Sequence, residues 1–122
     1  MKHLVKGRKF SRVKRVRTAL LKTLLGSFIM KEKITTTEAK AKEIKPMIDK
    51  IITKAKKISA SNEEKKVAIV RDLRKELPLM AVKKLSGEFS AKFSARTSGY
   101  TRILKIAQRK SDGAKMAVIE FM

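Results

Sequence analysis

The run GYTRILKIAQRKSDGAKMAVIEFM, Gly99 to Met122, decides the fold. Two segments rich in Ile, Leu, Val and aromatic residues flank Asp112-Gly113, a dipeptide that readily takes the positive φ angles of a two-residue hairpin turn. Folding back on that turn predicts Ser111 opposite Ala114, Lys105 opposite Glu120, Ile106 opposite Ile119 and Leu104 opposite Phe121. In this register Leu104, Ile106, Ile119 and Phe121 share one apolar face, while Lys105 and Glu120 meet on the other as opposite charges. A slip of one residue would mix lysines into the apolar side. Two strands alone are marginal in water, so that face needs a cover from the rest of the chain.

The cover is helical. Ser11 can cap a helix from about Arg12 to Met30, whose apolar residues Val13, Val16, Leu20, Leu21, Leu24, Leu25 and Phe28 follow three-and-four spacing. Gly26 costs about 1 kcal/mol relative to Ala inside a helix, which marks it as a point of close packing. Lys33 to Thr36, short and β-branched around Ile34, reads as a third strand beside the hairpin. Thr35 to Glu38 offers a Thr-x-x-Glu capping box, although Thr36 or Thr37 could cap equally well. The helix that follows runs to about Lys57 on a stripe of Ile44, Met47, Ile48, Ile51, Ile52, Ala55 and Ile58. Pro46 inside it predicts a kink or a local break near Glu43 to Lys45.

Ser59 to Asn62 is a turn, and Ser61 with Glu64 forms a second capping box. It opens a helix to about Glu76 with Val67, Val70, Leu73 and Leu77 inward. Pro78 suits the first turn of a fourth, short helix that ends before Gly87, with Met80, Ala81, Val82 and Leu85 available for burial. Glu88 to Ser98 is either a helical turn pinned by Phe89 and Phe93 or an ordered loop. The order α-β-α-α-α-β-β gives an α+β fold, a two-layer sandwich with helices on the apolar side of a small sheet. Residues 1–122 form one domain, with 1–11 as an irregular basic arm.

Charge carries the functional signal. The chain has 32 Lys and Arg against 11 Asp and Glu, a net charge of +21. Met1 to Lys31 contains ten basic residues and no acidic one, and Phe89 to Ser111 contains six and none. Ile34 to Glu88 is mixed, fourteen basic and eight acidic, as an ordinary solvated helical surface is. The partner surface should therefore be built from the two ends, and the partner should be a polyanion. On the first end stand Lys2, Lys6, Arg8 and Lys9 in the arm, then Arg12, Lys14, Arg15, Arg17 and Lys22 on the helix. On the second stand Arg96, Arg102, Lys105 and Arg109. Cations in the first turns of a helix oppose its dipole, so something else must favour them there, and phosphate does so economically. Lys105 and Arg109 are expected to point away from the core and Arg102 toward it.

Other chemistries lack their residues. There is no Cys, which removes disulfides and thiolate metal sites. The one His lies in the arm, with no Gly-rich phosphate loop and no base beside a nucleophile elsewhere, so neither enzyme, cofactor nor metal is expected. Without an apolar run of about 18 residues or a secretory signal, the expected location is cytoplasmic. The basic, acid-poor start could alternatively be a mitochondrial transit peptide, but the following helix reads as part of the fold. No helix-turn-helix, zinc finger or basic zipper is present, and Tyr100 is the only Tyr in a chain without Trp. Contact with the phosphates and shape of a folded RNA is what remains.

These residues carry a resemblance. GYTRILKI, TTTEAKAKEIK at Thr35 to Lys45, and the arm with MKH, Gly7-Arg8-Lys9 and Arg12 followed by Arg17-Thr18-Ala19-Leu20-Leu21 resemble the bacterial large-subunit ribosomal protein family numbered seventeen, over nearly the whole chain. Three positions depart from its pattern. Met30-Lys31-Glu32 lacks the His common before the Glu, Thr23 stands where Asn is usual, and Ser98 stands where a second Gly often precedes Gly99. The resemblance implies a structural protein bound to large-subunit ribosomal RNA on the outer side of the particle, near where the nascent chain emerges, with other ribosomal proteins as neighbours. By matching motif it implies RNA contact at His3, Gly7, Arg8, Arg12, Arg17, Tyr100, Thr101 and Arg102. No homo-oligomer, membrane or small-molecule substrate is expected. The competing readings are a sequence-tolerant DNA-compacting or RNA-chaperoning protein, and a peripheral protein holding anionic lipid through the first helix.

Overall fold

The computed structural model describes residues 3–4, 6–60 and 62–122. Helix α1 (Lys14–Lys31) is followed by strand β1 (Lys33–Thr37), then helices α2 (Glu38–Ala60), α3 (Glu63–Glu76) and α4 (Leu79–Ser86), then strands β2 (Thr101–Ile106) and β3 (Met116–Phe121), in the expected order. A 3-10 turn, Glu88–Phe93, joins α4 to the loop before β2. The helices cover one face of an antiparallel sheet ordered β1-β3-β2, and between the two layers lies a core of Phe28, Ile44, Ile48, Ile51, Ala117 and Ile119 with their buried neighbours.

The hairpin is real but its register differs from the expected one. Leu104 lies opposite Val118, not Phe121, and Ile103 opposite Ile119. Cross-strand partners share a face, so an odd displacement of three residues inverts β2 relative to β3. Thr101 and Ile103 turn toward the helices, while Arg102, Leu104 and Ile106 turn outward; Leu104 is 44% and Ile106 46% exposed. The cause is the turn. Asp112 and Gly113 do not form a two-residue loop, because the Asp112 carboxylate holds the Arg109 guanidinium at 2.9 and 2.7 Å and accepts the Ala114 N–H at 3.1 Å. A five-residue turn results, closed by the Gly113 N–H donating to the Arg109 carbonyl at 2.8 Å, with Gly113 at φ +69°. Lys105 therefore does not pair with Glu120 and does not share the outer face as expected, since it stands opposite buried Ala117 on the face of Thr101 and Ile103; Arg102 pairs with Glu120, at 2.6 Å, on the outer face instead of the core side.

Ser11 does not cap α1. It adopts φ +54° two residues before Val13, which takes the cap position without a side-chain bond. An 18-residue helix is about 27 Å long, longer than the roughly 20 Å of a six-residue strand, so α1 overhangs the sheet. Its C-terminal half buries Leu25, Phe28 and Ile29, whereas Val13 and Val16, expected in the stripe, are exposed. Gly26 is explained: a Cβ there would lie 2.6 Å from the Pro78 Cγ at the start of α4. After α1 the chain reverses through Glu32 at φ +64°, whose carboxylate is held by Lys84 at 3.7 Å and Lys92 at 3.3 Å.

β1 passes directly into α2, so Thr35 stays in the strand and no capping box forms there. The Glu38 N–H instead donates to the Lys115 carbonyl at 2.9 Å. α2 continues through Pro46 without the expected break; burial of Ala41, Ile44, Ile48, Ile51 and Ile52 on either side of the proline holds it against the sheet. Asn62 caps α3 by accepting the Lys65 N–H at 3.0 Å, and Ser61 lies outside the described residues. Leu73 and Leu77 are buried as expected, but Val67 on α3 and Met80 on α4 are exposed. Phe89 and Phe93 do pin the 3-10 turn, edge to face at 5.4 Å, beside Phe28 stacked on Phe121 at 4.4 Å.

Candidate nucleic-acid interface

The arm turns repeatedly through left-handed backbone, at Leu4, Gly7, Phe10 and Ser11, as expected of a segment without a period. Among the described residues, Arg8 fastens it to the body. The Arg8 N–H donates to the Glu43 carboxylate at 3.2 Å, and the Arg8 guanidinium lies 3.6 Å from the other oxygen. Gly7, at φ +97°, carries no side chain where a Cβ would come within 3.2 Å of the same carboxylate. Arg12 donates to the Phe10 carbonyl at 2.7 Å and Arg17 to the Arg12 carbonyl at 3.2 Å, so two guanidinium groups brace the junction between arm and helix.

That junction leads into a helix start that lacks both a side-chain cap and an acidic residue in its first turn. Its leading amides are open donors at the positive end of the dipole. Lys14 and Arg15 stand exposed on them. Among the described residues, His3, Lys6, Lys9, Arg12, Lys14, Arg15, Arg17 and Lys22 have no carboxylate within ion-pairing distance. Lys2 lies outside the described residues.

The second acid-free stretch behaves differently. Arg102 is spent on Glu120, Lys105 lies 3.6 Å from Glu38, and Arg109 is chelated by Asp112. Arg109 holds the Asp112 carboxyl down at about 2, helped by the Ala114 amide. Arg102, then Lys33, lowers Glu120 in the same direction. Tyr100 and Thr101, which the resemblance places at the RNA, are instead in the core. Tyr100 packs edge to face on Phe93 at 5.6 Å, and its hydroxyl meets Lys56 and the Arg96 carbonyl. Facing inward on the inverted strand, Thr101 follows Tyr100 into the interior. The Arg96 side chain remains exposed.

The two ends nevertheless converge. Arg8 from the arm, Lys42 from α2 and Lys115 from the approach to β3 line a shallow cavity of about 290 Å³ over the start of α2, floored by Thr37, Glu38 and Ala39. Lys105 reaches the same Glu38 carboxyl, which Lys42, hydrogen-bonded at 2.7 Å, holds below the usual carboxylate range with help from Lys105 and Lys115. Lys42 and Lys115 escaped the sequence reading because both lie outside the two acid-free stretches, and only the fold sets them next to the arm. The geometry thus gives one cationic pole, built from the arm and the free end of α1 and extended over the start of α2.

The sequence pattern of the family described as Ribosomal protein L17 matches residues 20–122. The chain is 39% identical over 124 residues to the large ribosomal subunit protein bL17 of Petrotoga mobilis, covering 100% of this chain and 97% of that one. It is 41% identical over 116 residues to bL17 of Shouchella clausii, covering 93% and 97%. To bL17 of a Hydrogenobaculum species it is 39% identical over 123 residues, covering 100% and 99%. With the family pattern matched over most of its length and full-length relatives of one kind, the chain belongs to the ribosomal protein L17 family.

Proposed function

We propose that this chain is a non-catalytic structural protein of the large ribosomal subunit, in the cytoplasm, and that it binds large-subunit ribosomal RNA through phosphate and shape contacts. Its relatives are named as large-subunit proteins. The observation that carries the RNA reading is the pole of exposed cations without carboxylate partners around an uncapped helix start. Such a surface repels itself until phosphates neutralise it. The arm supplies an irregular shape for a crevice, and the helix start supplies directed N–H donors. Arg102, Lys105 and Arg109, already paired inside the fold, contribute less to binding than the arm does.

The test is binding of the full chain to fragments of large-subunit ribosomal RNA, an unrelated RNA of equal length and duplex DNA across a range of salt. Tighter binding to ribosomal fragments at every salt concentration, with a steep salt slope, is the expected result. Equal affinity for all three overturns ribosomal specificity in favour of a sequence-tolerant nucleic-acid binder.

A further inference from the structure

The sheet face turned away from the helices carries an apolar block. Three rows cross it: Lys33, Glu120 and Arg102; Thr35, Val118 and Leu104; Thr37, Met116 and Ile106. The outer face of an antiparallel sheet is ordinarily polar. Here the second and third rows set four aliphatic side chains in a contiguous block, with Leu104 and Ile106 nearly half exposed. β2 bounds this block with a free strand edge. Apolar blocks of this kind mark contact surfaces.

The charges around the block specify what it contacts. At one end Glu120 is shared by Arg102 at 2.6 Å and Lys33 at 3.6 Å. That network holds two cations to one carboxylate, so this end of the block carries a surplus positive charge. A complementary partner has aliphatic side chains against the block and a carboxylate at the Arg102 and Lys33 end. RNA fits poorly, since the block has no aromatic ring on which a base could stack and no donors for phosphate. A second copy fits poorly too, because it would bring like-charged rims together in chains of net charge +21.

Resting on the large-subunit reading above, we propose that the open face centred on Leu104, Ile106, Met116 and Val118 docks an aliphatic segment, acidic at one end, of a neighbouring large-subunit protein. The protein contact and the RNA contact then lie on different surfaces of one small body.

The test places p-benzoyl-phenylalanine at Leu104 in one full-length variant and at Val118 in another, assembles each into large subunits, purifies the particles and irradiates them. A covalent adduct with another protein of the subunit is the expected result. Adducts only with RNA, adducts only with a second copy of this chain, or no adduct from either position in particles that contain the variant overturn the proposal. Variants that bind ribosomal RNA normally yet are excluded from particles support it, since the bulky group then blocks a contact other than RNA. Should the unmodified chain itself fail to bind ribosomal RNA, the functional reading fails, and that outcome is visible separately in the RNA-binding measurement.

Discussion

Gly26 in α1 and Pro78 at the start of α4 are packed so closely that a Cβ on Gly26 would fall 2.6 Å from the Pro78 Cγ and 2.7 Å from its Cδ. These are atoms of a rigid ring tied to the backbone, so they cannot swing aside. By helix propensity alone Gly26→Ala should gain about 1 kcal/mol. Overpacking costs about 1 to 3 kcal/mol and opposes that gain. The expected outcome is a net loss of stability in denaturant titration for G26A, with recovery in the G26A/P78A double variant, where the clash is gone. A more stable G26A would show that the two helices are not in contact here.

The inverted strand makes a second prediction, a contrast between two isoleucines that sequence alone would treat alike. Ile119 is fully buried beneath α2, and Ile106 is on the open face. Ile119→Ala should cost about 2 to 5 kcal/mol through the lost methylenes and the cavity they leave. Ile106→Ala should cost well under about 1 kcal/mol in the isolated protein, in line with other exposed substitutions. Equal losses in chemical denaturation would indicate the register with Ile106 opposite Ile119.

That contrast also shows where the sequence stopped being legible. Element order, the β1 strand, the α2 stripe and the Pro78 helix start could be read because each depends on local spacing or on proline and capping chemistry. The register could not. It hinges on whether Asp112 acts as a turn residue or as a side-chain ligand for Arg109, and both uses fit the same Asp-Gly dipeptide. Leu104 and Ile106 compounded the problem, since aliphatic residues on an outer face read as core residues. Likewise Tyr100 and Thr101 belong to a family motif, but the motif does not say that the tyrosine ring packs against Phe93. The arm was legible as basic and irregular, whereas its anchor on Glu43 spans 35 residues of sequence and left no local trace.

Acid should find the carboxylates that bind the strands. Asp112 is held at about 2 by Arg109, and Glu120 and Glu38 are lowered by Arg102 and Lys42. A carboxyl with a depressed folded-state pKa binds protons more readily when unfolded. Its contribution is therefore present above the unfolded values near about 4 and is lost as pH falls through the folded value. The melting temperature should be nearly flat from pH 7 to pH 5, then fall between about pH 4 and pH 2. Glu120→Gln should lower the melting temperature slightly at pH 7 and reduce the fall below pH 4. A drop of the same size in E120Q and in the unmodified chain would remove the Arg102 pair from the account.

The cationic pole makes a prediction in which binding and stability move in opposite directions. Lys14 and Arg15 sit in the first turn of α1, exposed and without carboxylate partners, where they oppose the helix dipole. Replacing both by Ala should raise stability by a few tenths of a kcal/mol for each charge removed. If both contact phosphate, the same change should lower the salt slope of ribosomal RNA binding by about 2 and weaken affinity at low salt about tenfold or more. Arg109→Ala, by contrast, removes a cation that Asp112 already holds, and it should loosen the turn while changing RNA affinity much less. Measured side by side, a K14A/R15A variant that is slightly more stable yet binds RNA poorly identifies residues kept for a partner and not for the fold. If instead K14A/R15A binds normally and R109A does not, the interface lies on the hairpin, and the arm with its helix start is an ordinary solvated surface.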